Sequence, residues 1–302
     1  MCKNLGPVDS WIVKLSNAIG FVKGCFHPLP FLFFVPRYVE GMKIWSIADA
    51  LSKLRPDEVL IKRCRCLGHR KALFVDSRRV SIISPLEAVK GLKECSTAIC
   101  KAARDLVEYI STVTDLVGIT GGLAYNPRTA SDIDVVVFGS RIDDVYKLLV
   151  EMRKEGITKP YSGTGHAWSH EDMKLHNLLS RRRVLIGMYN GFEYNVRLIY
   201  CCRPAHCTPF KLLGEAEIRA RILSSTNYST PSIYLLSVVS IKGKYWENIL
   251  PNKLYMLTYR IRYMEIPNNA VIDIMGSLEE QEGLIRIVPD HDGFVKLVSM
   301  HS

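Results

Sequence analysis

The chain has 302 residues, with 40 Lys and Arg against 30 Asp and Glu, a formal charge of +10, and 48% hydrophobic residues. That composition is ordinary for a globular protein and excludes disorder, collagen and low complexity, while the length predicts roughly two domains. The excess positive charge suits a polyanionic partner such as nucleic acid or nucleotide phosphate, and equally suits a basic protein that merely stays soluble.

The first residues, Met1 to Pro7, lack a basic region followed by an apolar stretch, so a cytoplasmic location is expected. Phe31 to Val35 is the longest apolar run and is fenced by prolines, far short of the ~20 residues that span a bilayer, so no membrane partner is expected. Residues 1–83 mix short apolar runs with turn signals and a helix start at Ser46, and read as a small accessory α+β module. The nine cysteines form no Cys-x-x-Cys pair, which gives no support to zinc knuckles or thioredoxin chemistry. They read as buried small apolar groups, with an intracellular disulfide left open should the source be a hyperthermophile.

Residues 84–209 carry stronger signals. Ser84-Pro85-Leu86-Glu87 combines an N-cap serine, a proline at the first helical position and a glutamate placed for a capping box. The spacing from Leu92 to Ile110 predicts that this helix continues to about Ser111. Leu116 to Thr120 is a predicted strand, Gly121-Gly122 a tight turn and Asp132 to Phe138 a valine-rich strand. A helix capped by Ser140 then runs to Gly156, a basic helix covers about 170–182, and Asn190-Gly191 joins two strands in a hairpin. From 210 to 302, apolar runs separated by Gly, Pro and Asn are spaced as in a small β-barrel or sandwich. Arg219, Arg221, Lys242, Lys244, Arg260 and Arg262 fall on its strands or strand ends, as a single-strand binding surface or as a plain solvent-facing rim.

The chemistry concentrates between Gly118 and Gly139. Residues two apart on a strand share a face, so Asp132 and Asp134 project together. Two such carboxylates repel unless a cation lies between them, and Mg2+ (or Mn2+) prefers hard oxygen ligands shared with substrate phosphates. Gly121 and Gly122 remove side chains where backbone N–H groups can approach a phosphate. Taken singly, the acidic pair also fits an exposed polar strand face and the glycines a plain turn.

Together, with nine residues between Gly122 and Asp132 and apolar strands on both sides, these features resemble the signature of the DNA polymerase beta-like nucleotidyltransferase superfamily. The whole chain resembles uncharacterised archaeal nucleotidyltransferase-domain proteins. Asn190 to Arg197 looks like the strand that supplies the third carboxylate, and is most similar to the corresponding strand of archaeal tRNA CCA-adding enzymes. In this sequence the aspartate position is Asn195, with Glu193 two residues earlier as a substitute or as a strand glutamate paired with Arg197.

The resemblance implies an α+β fold. A nucleotidyltransferase-type mixed sheet with helices (84–209) would be flanked by the N-terminal module (1–83) and the C-terminal β-barrel or sandwich (210–302). It implies Mg2+-dependent nucleotidyl transfer from a nucleoside triphosphate to an acceptor that is a nucleic acid, a protein or a small molecule. Asp132 and Asp134 would hold the metal, Glu193 and Asn195 would complete the catalytic set, and Gly121, Gly122 and Ser131 would contact phosphates. The basic segment with His166, His170, Lys174, His176, Arg181, Arg182 and Arg183 offers phosphate or RNA or DNA backbone contacts, or a solvated helix end. The alternative class is a catalytically weak or inactive nucleotide- or nucleic-acid-binding protein with this fold, because an amide is neutral and ligates only through its carbonyl oxygen.

Overall fold

A computed structural model describes residues 5–44, 47–162, 168–242, 246 and 250–300. In chain order the first half contains β1 (Ile12–Lys14), β2 (Ala18–Val22), β3 (Phe26–His27), β4 (Phe31–Val39), β5 (Met42–Lys43), α1 (Ile47–Leu51), β6 (Leu60–Cys64), β7 (Arg70–Asp76) and β8 (Ser81–Ile83). There follow α2 (Pro85–Gly91), α3 (Ala98–Ser111), β9 (Val117–Thr120), α4 (Gly121–Tyr125), β10 (Asp132–Phe138) and α5 (Ile142–Lys154). The second half contains β11 (Lys159–Pro160), α6 (His170–Leu179), β12 (Ile186–Tyr189), β13 (Phe192–Ile199), β14 (Ala205–His206), β15 (Lys211–Thr226), β16 (Ser232–Lys242), β17 (Lys253–Thr258), β18 (Val271–Gln281), β19 (Leu284–Val288) and β20 (Phe294–Ser299). The protein is mixed α+β with several sheets. No described helix is long and apolar enough to cross a membrane.

Two compact units divide the chain. One comprises residues 1–158 and 188–208, the other 159–187 and 209–302. Residues 1–83, read from sequence as a separate accessory module, thus share a unit with the acidic strand. Their sheet runs β6-β7-β4-β2-β1-β8, with β5 on β4. Val136, Phe138 and Ile199 from β10 and β13 are buried in one apolar cluster with Trp11, Val13, Leu32, Phe34 and Val75. One face of β10 is therefore covered by the N-terminal strands, because alternate residues of a strand must bury on opposite sides.

The core sheet of this unit sets the site. β9 pairs antiparallel with β10, and β10 pairs parallel with β13, with Asp132 opposite Glu193 and Asp134 opposite both Asn195 and Thr120. Asn190 and Gly191 both take positive φ, 48° and 84°, as a two-residue hairpin turn between β12 and β13 requires. α3 buries Ile99, Ala103, Leu106 and Ile110, its apolar stripe, and lies against β9 and β10.

The single long helix predicted from Ser84 to Ser111 is two helices. Ser84 does cap α2, accepting from the Leu86 N–H at 3.3 Å. The chain then turns extended at Cys95, and Thr97 caps α3 through the Cys100 N–H. Arg104 donates to the Cys95 carbonyl at 2.8 Å, and a Cys95–Cys100 disulfide spans the break. Helical spacing alone cannot reveal such an interruption, because the apolar stripe continues through it. The N-cap of α5 is Arg141 rather than Ser140, with no side-chain cap. Arg141 Nε instead donates to Asp144 at 2.6 Å. The helix start read at Ser46 lies outside the described residues.

The cysteines also differ from expectation. Cys25–Cys201, Cys66–Cys207 and Cys95–Cys100 are disulfides, the first two joining positions 176 and 141 residues apart. No spacing rule reaches such distances, since the folded chain alone brings those ends together.

In the second unit β15, β16, β17, β19 and β18 pair in turn, and β18 pairs back onto β15. The pairings of these five strands thus return to their start, with β20 beside the first half of β18. Ile218, Ile222, Leu236, Leu254, Ile274 and Leu278 are buried together in the apolar cluster of this unit.

Candidate carboxylate and cation site

Asp132 and Asp134 lie on one face of β10, half-buried, as the strand period demands. The parallel register then places Glu193 and Asn195 beside them on β13. Asn195 Nδ2 donates to Asp134 Oδ1 at 3.2 Å. The Asn195 carbonyl oxygen is buried and has no hydrogen-bond partner among the described residues.

Burial, and next the charge of Asp132, push the Asp134 carboxyl up to about 6. Arg197, the Asn195 amide and Arg37 oppose that rise without cancelling it. The site is thus short of positive charge, which is what a cation supplies. These residues fit a divalent cation on the chemistry of the donor set: paired carboxylates and an orphaned amide oxygen are all hard donors. Asp132 and Asp134 would be its ligands, with the Asn195 oxygen or Glu193 as a third.

Gly121 leads from β9 into α4 with φ +65°, and a Cβ on it would collide with Asp134 Oδ2. Both the backbone and the space require glycine. Replacing Gly121 with Ala is expected to displace the Asp134 carboxylate and to destabilise the fold by about 1–3 kcal/mol. Urea denaturation with Mn2+ titration of the same variant checks both effects. α4 is a single turn, so little helix dipole stands behind Gly121 and Gly122, and the phosphate contribution expected here reduces to their backbone N–H groups. Ser131 is exposed at the start of β10.

Several groups at the site come from the N-terminal strands and were not singled out in the sequence. Asp132 and Asp134 act on the Tyr38 hydroxyl and Arg37 acts on Asp134, so both β4 residues belong to its surroundings. The Tyr38 ring packs on Tyr125 from α4, centroids 4.9 Å apart. Asp9 is buried, accepts from the Gly24 N–H at 2.7 Å and pairs with Lys23 at 3.3 Å. Burial raises the Asp9 carboxyl, but Lys23, then Arg197 and the hydrogen bonds, bring it below the usual carboxylate range. Arg197 therefore stands in the fields of both Asp9 and Asp134. Thr120, opposite Asp134, donates its hydroxyl to the Ser10 carbonyl at 2.9 Å, holding the Asp9–Ser10 loop to β9. No local motif marks residues that reach a site from another sheet.

The basic segment falls in the other unit. Lys174, Arg181 and Arg182 are exposed there, and Lys174 pairs with Glu171 at 3.8 Å. Arg183 is fully buried, which contradicts a phosphate-binding role. Its guanidinium donates to the carbonyls of Arg262 at 2.6 Å and Met264 at 3.1 Å and contacts His176 Nδ1 at 3.1 Å. His176 is buried with its ring edge-on to Tyr161 and Trp168, and His170 is exposed. His166 lies outside the described residues. Arg183→Ala would strand those carbonyls, and a loss of about 3 kcal/mol is expected in chemical denaturation.

The barrel cations are largely engaged within their own unit. Arg219 forms two hydrogen bonds with Asp273, at 2.7 and 2.9 Å, and Lys242 reaches Glu217 at 2.8 Å. Arg260 donates to the Asp290 carbonyl, and Arg262 pairs with the buried Asp172 at 3.2 Å. Lys244 lies outside the described residues. No protein-family model matches the sequence, and no curated protein matches it.

Proposed function

We propose that the chain is a divalent-cation-dependent nucleotidyltransferase of the DNA polymerase beta-like type. The observation that carries this reading is the pair of carboxylates, Asp132 and Asp134, on one face of a strand whose Asp134 abuts a turn that only glycine fits. The net charge of +10 is consistent with a nucleoside triphosphate and with an RNA or DNA acceptor. Mg2+, or Mn2+ in its place, would supply Lewis-acid stabilisation of the negative charge that develops on the phosphate oxygens.

The chain's own residues have separable parts. Asp132 and Asp134 would hold the cation, with Asp134 in its deprotonated form. The Gly121 and Gly122 N–H groups approach phosphate oxygens, Arg37 and Arg197 offset negative charge, and Asn195 holds Asp134 in register. The acceptor hydroxyl oxygen would bond to the α-phosphorus as the bond to pyrophosphate breaks and the hydroxyl proton passes to solvent.

A second reading keeps the fold and removes the turnover. It rests on the Asn195–Asp134 hydrogen bond, in which a neutral amide occupies the place of a third carboxylate. The test is pyrophosphate release from each of the four ribonucleoside triphosphates with Mg2+ or Mn2+ and an RNA or DNA oligonucleotide. Turnover is expected in the natural protein, lost in Asp134→Ala and equal or higher in Asn195→Asp. A silent natural protein in which Asn195→Asp creates turnover would establish the binding reading. Silence in both proteins would sink the enzyme proposal.

A further inference from the structure

A second cluster of ligating atoms lies among cysteines that the carboxylate chemistry does not use. Cys64 ends β6, Cys66 sits in the single turn that follows, and Cys207 comes just after β14. Their sulfur atoms all lie within 4.8 Å of one another. The scaffold beneath them is fixed by the backbone. Gly68 takes φ +58° to reverse the chain, the His69 N–H donates to the Cys64 carbonyl at 2.8 Å, and the Cys207 N–H donates to the His27 carbonyl at 3.1 Å.

Cys66 and Cys207 are joined as a disulfide, whereas Cys64 is a buried free thiol. A crosslink needs two sulfurs and gives no reason for a third at the same point. Lys62, Arg63, Arg65, Arg70 and Lys71 flank the two hairpin cysteines in sequence, with no Asp or Glu between Val59 and Val75, so no carboxylate of this hairpin competes with sulfur for a metal. Three thiolates that close repel unless a cation joins them, and sulfur donors select thiophilic d10 ions. With Zn–S bonds of about 2.3 Å, tetrahedral ligands lie about 3.8 Å apart, within the observed spread.

We propose that in the reduced protein Cys64, Cys66 and Cys207 form a three-thiolate Zn2+ site, and that the Cys66–Cys207 disulfide is the metal-free, oxidised form of the same site. A dithiol reductant would supply two electrons and two protons to open the disulfide, and Zn2+ binding would then release the thiol protons. Cys66 and Cys207 are half-exposed, so an attacking reductant has access, and three protein ligands leave the fourth position to water.

The full chain, reduced with a phosphine, is titrated with Zn2+ against a chromophoric chelator, and with Cd2+ to follow sulfur-to-metal charge transfer in the ultraviolet. One Zn2+ per chain is expected, with the Cd2+ band present. Because even outer-shell losses cost about 10–100-fold, Cys64→Ala, Cys66→Ser and Cys207→Ser should each weaken binding by about 100-fold or more. Asp134→Asn should leave this binding unchanged, which separates it from the carboxylate site. The oxidised protein should bind no Zn2+ here. Cys64→Ala retains the disulfide and serves if the other two variants fail to fold, as circular dichroism would show. Absence of Zn2+ binding by the reduced protein, or binding untouched by Cys64→Ala, would overturn the proposal.

Discussion

Asp134→Asn is expected to abolish divalent-cation binding and, at the same time, to raise the melting temperature above pH 6. The folded protein holds the Asp134 proton up to about 6, whereas the unfolded chain releases it near 3.8. A group whose folded value is raised contributes stability that is complete below its unfolded value and is lost as pH rises through the folded one. Charging the half-buried Asp134 beside Asp132 therefore costs the fold about 2 kcal/mol by pH 7, solvent screening having reduced the ~3 kcal/mol that the full shift represents. The asparagine variant resembles the protonated form at every pH and escapes that loss. The melting temperatures of the two proteins should coincide near pH 4, diverge between pH 4 and 6 and stay apart above it.

Saturating Mn2+ should close the gap by raising the natural protein alone, since a ligand that binds only the folded state stabilises it by mass action. Cation affinity should itself weaken as pH falls through about 6, where the proton competes for Asp134. Differential scanning fluorimetry across pH, with and without Mn2+, reads all of this. Equal Mn2+ shifts in the two proteins would refute the site.

Removing the Cys25–Cys201 crosslink is expected to have the largest effect on stability. It closes a loop of 176 residues, and both cysteines pack with the apolar cluster that joins the N-terminal strands to β10 and β13. Chain entropy assigns a loop of that length about 5 kcal/mol, so Cys25→Ala with Cys201→Ala should lower the melting temperature by roughly 10–20 °C. A melting temperature unchanged from that of the oxidised natural protein would remove the crosslink from any structural role.

The acidic pair was legible because a strand has period two: once Asp132 to Phe138 is read as a strand, Asp132 and Asp134 must share a face. The hairpin at Asn190-Gly191 was legible for an equally local reason, since few residues other than Asn and Gly accept positive φ at both central positions. The break between α2 and α3 was not, because Arg104, the Thr97 cap and a disulfide make it while the apolar stripe runs on. Arg183 shows the opposite failure. Its position in a basic run suggested phosphate, and its burial between carbonyls of Arg262 and Met264, about eighty residues away, reversed that reading.

Local sequence thus determined where strands and turns lie and which side chains within one strand act together, because those properties depend on residues a few positions apart. Which distant segments meet was decided by the tertiary structure. The covering of β10 by the first β-sheet, the placement of Arg37 and Tyr38 around the carboxylates, and the cysteine pairings all depend on burying apolar faces against one another. That burial is non-directional and leaves no mark of its partner in the sequence.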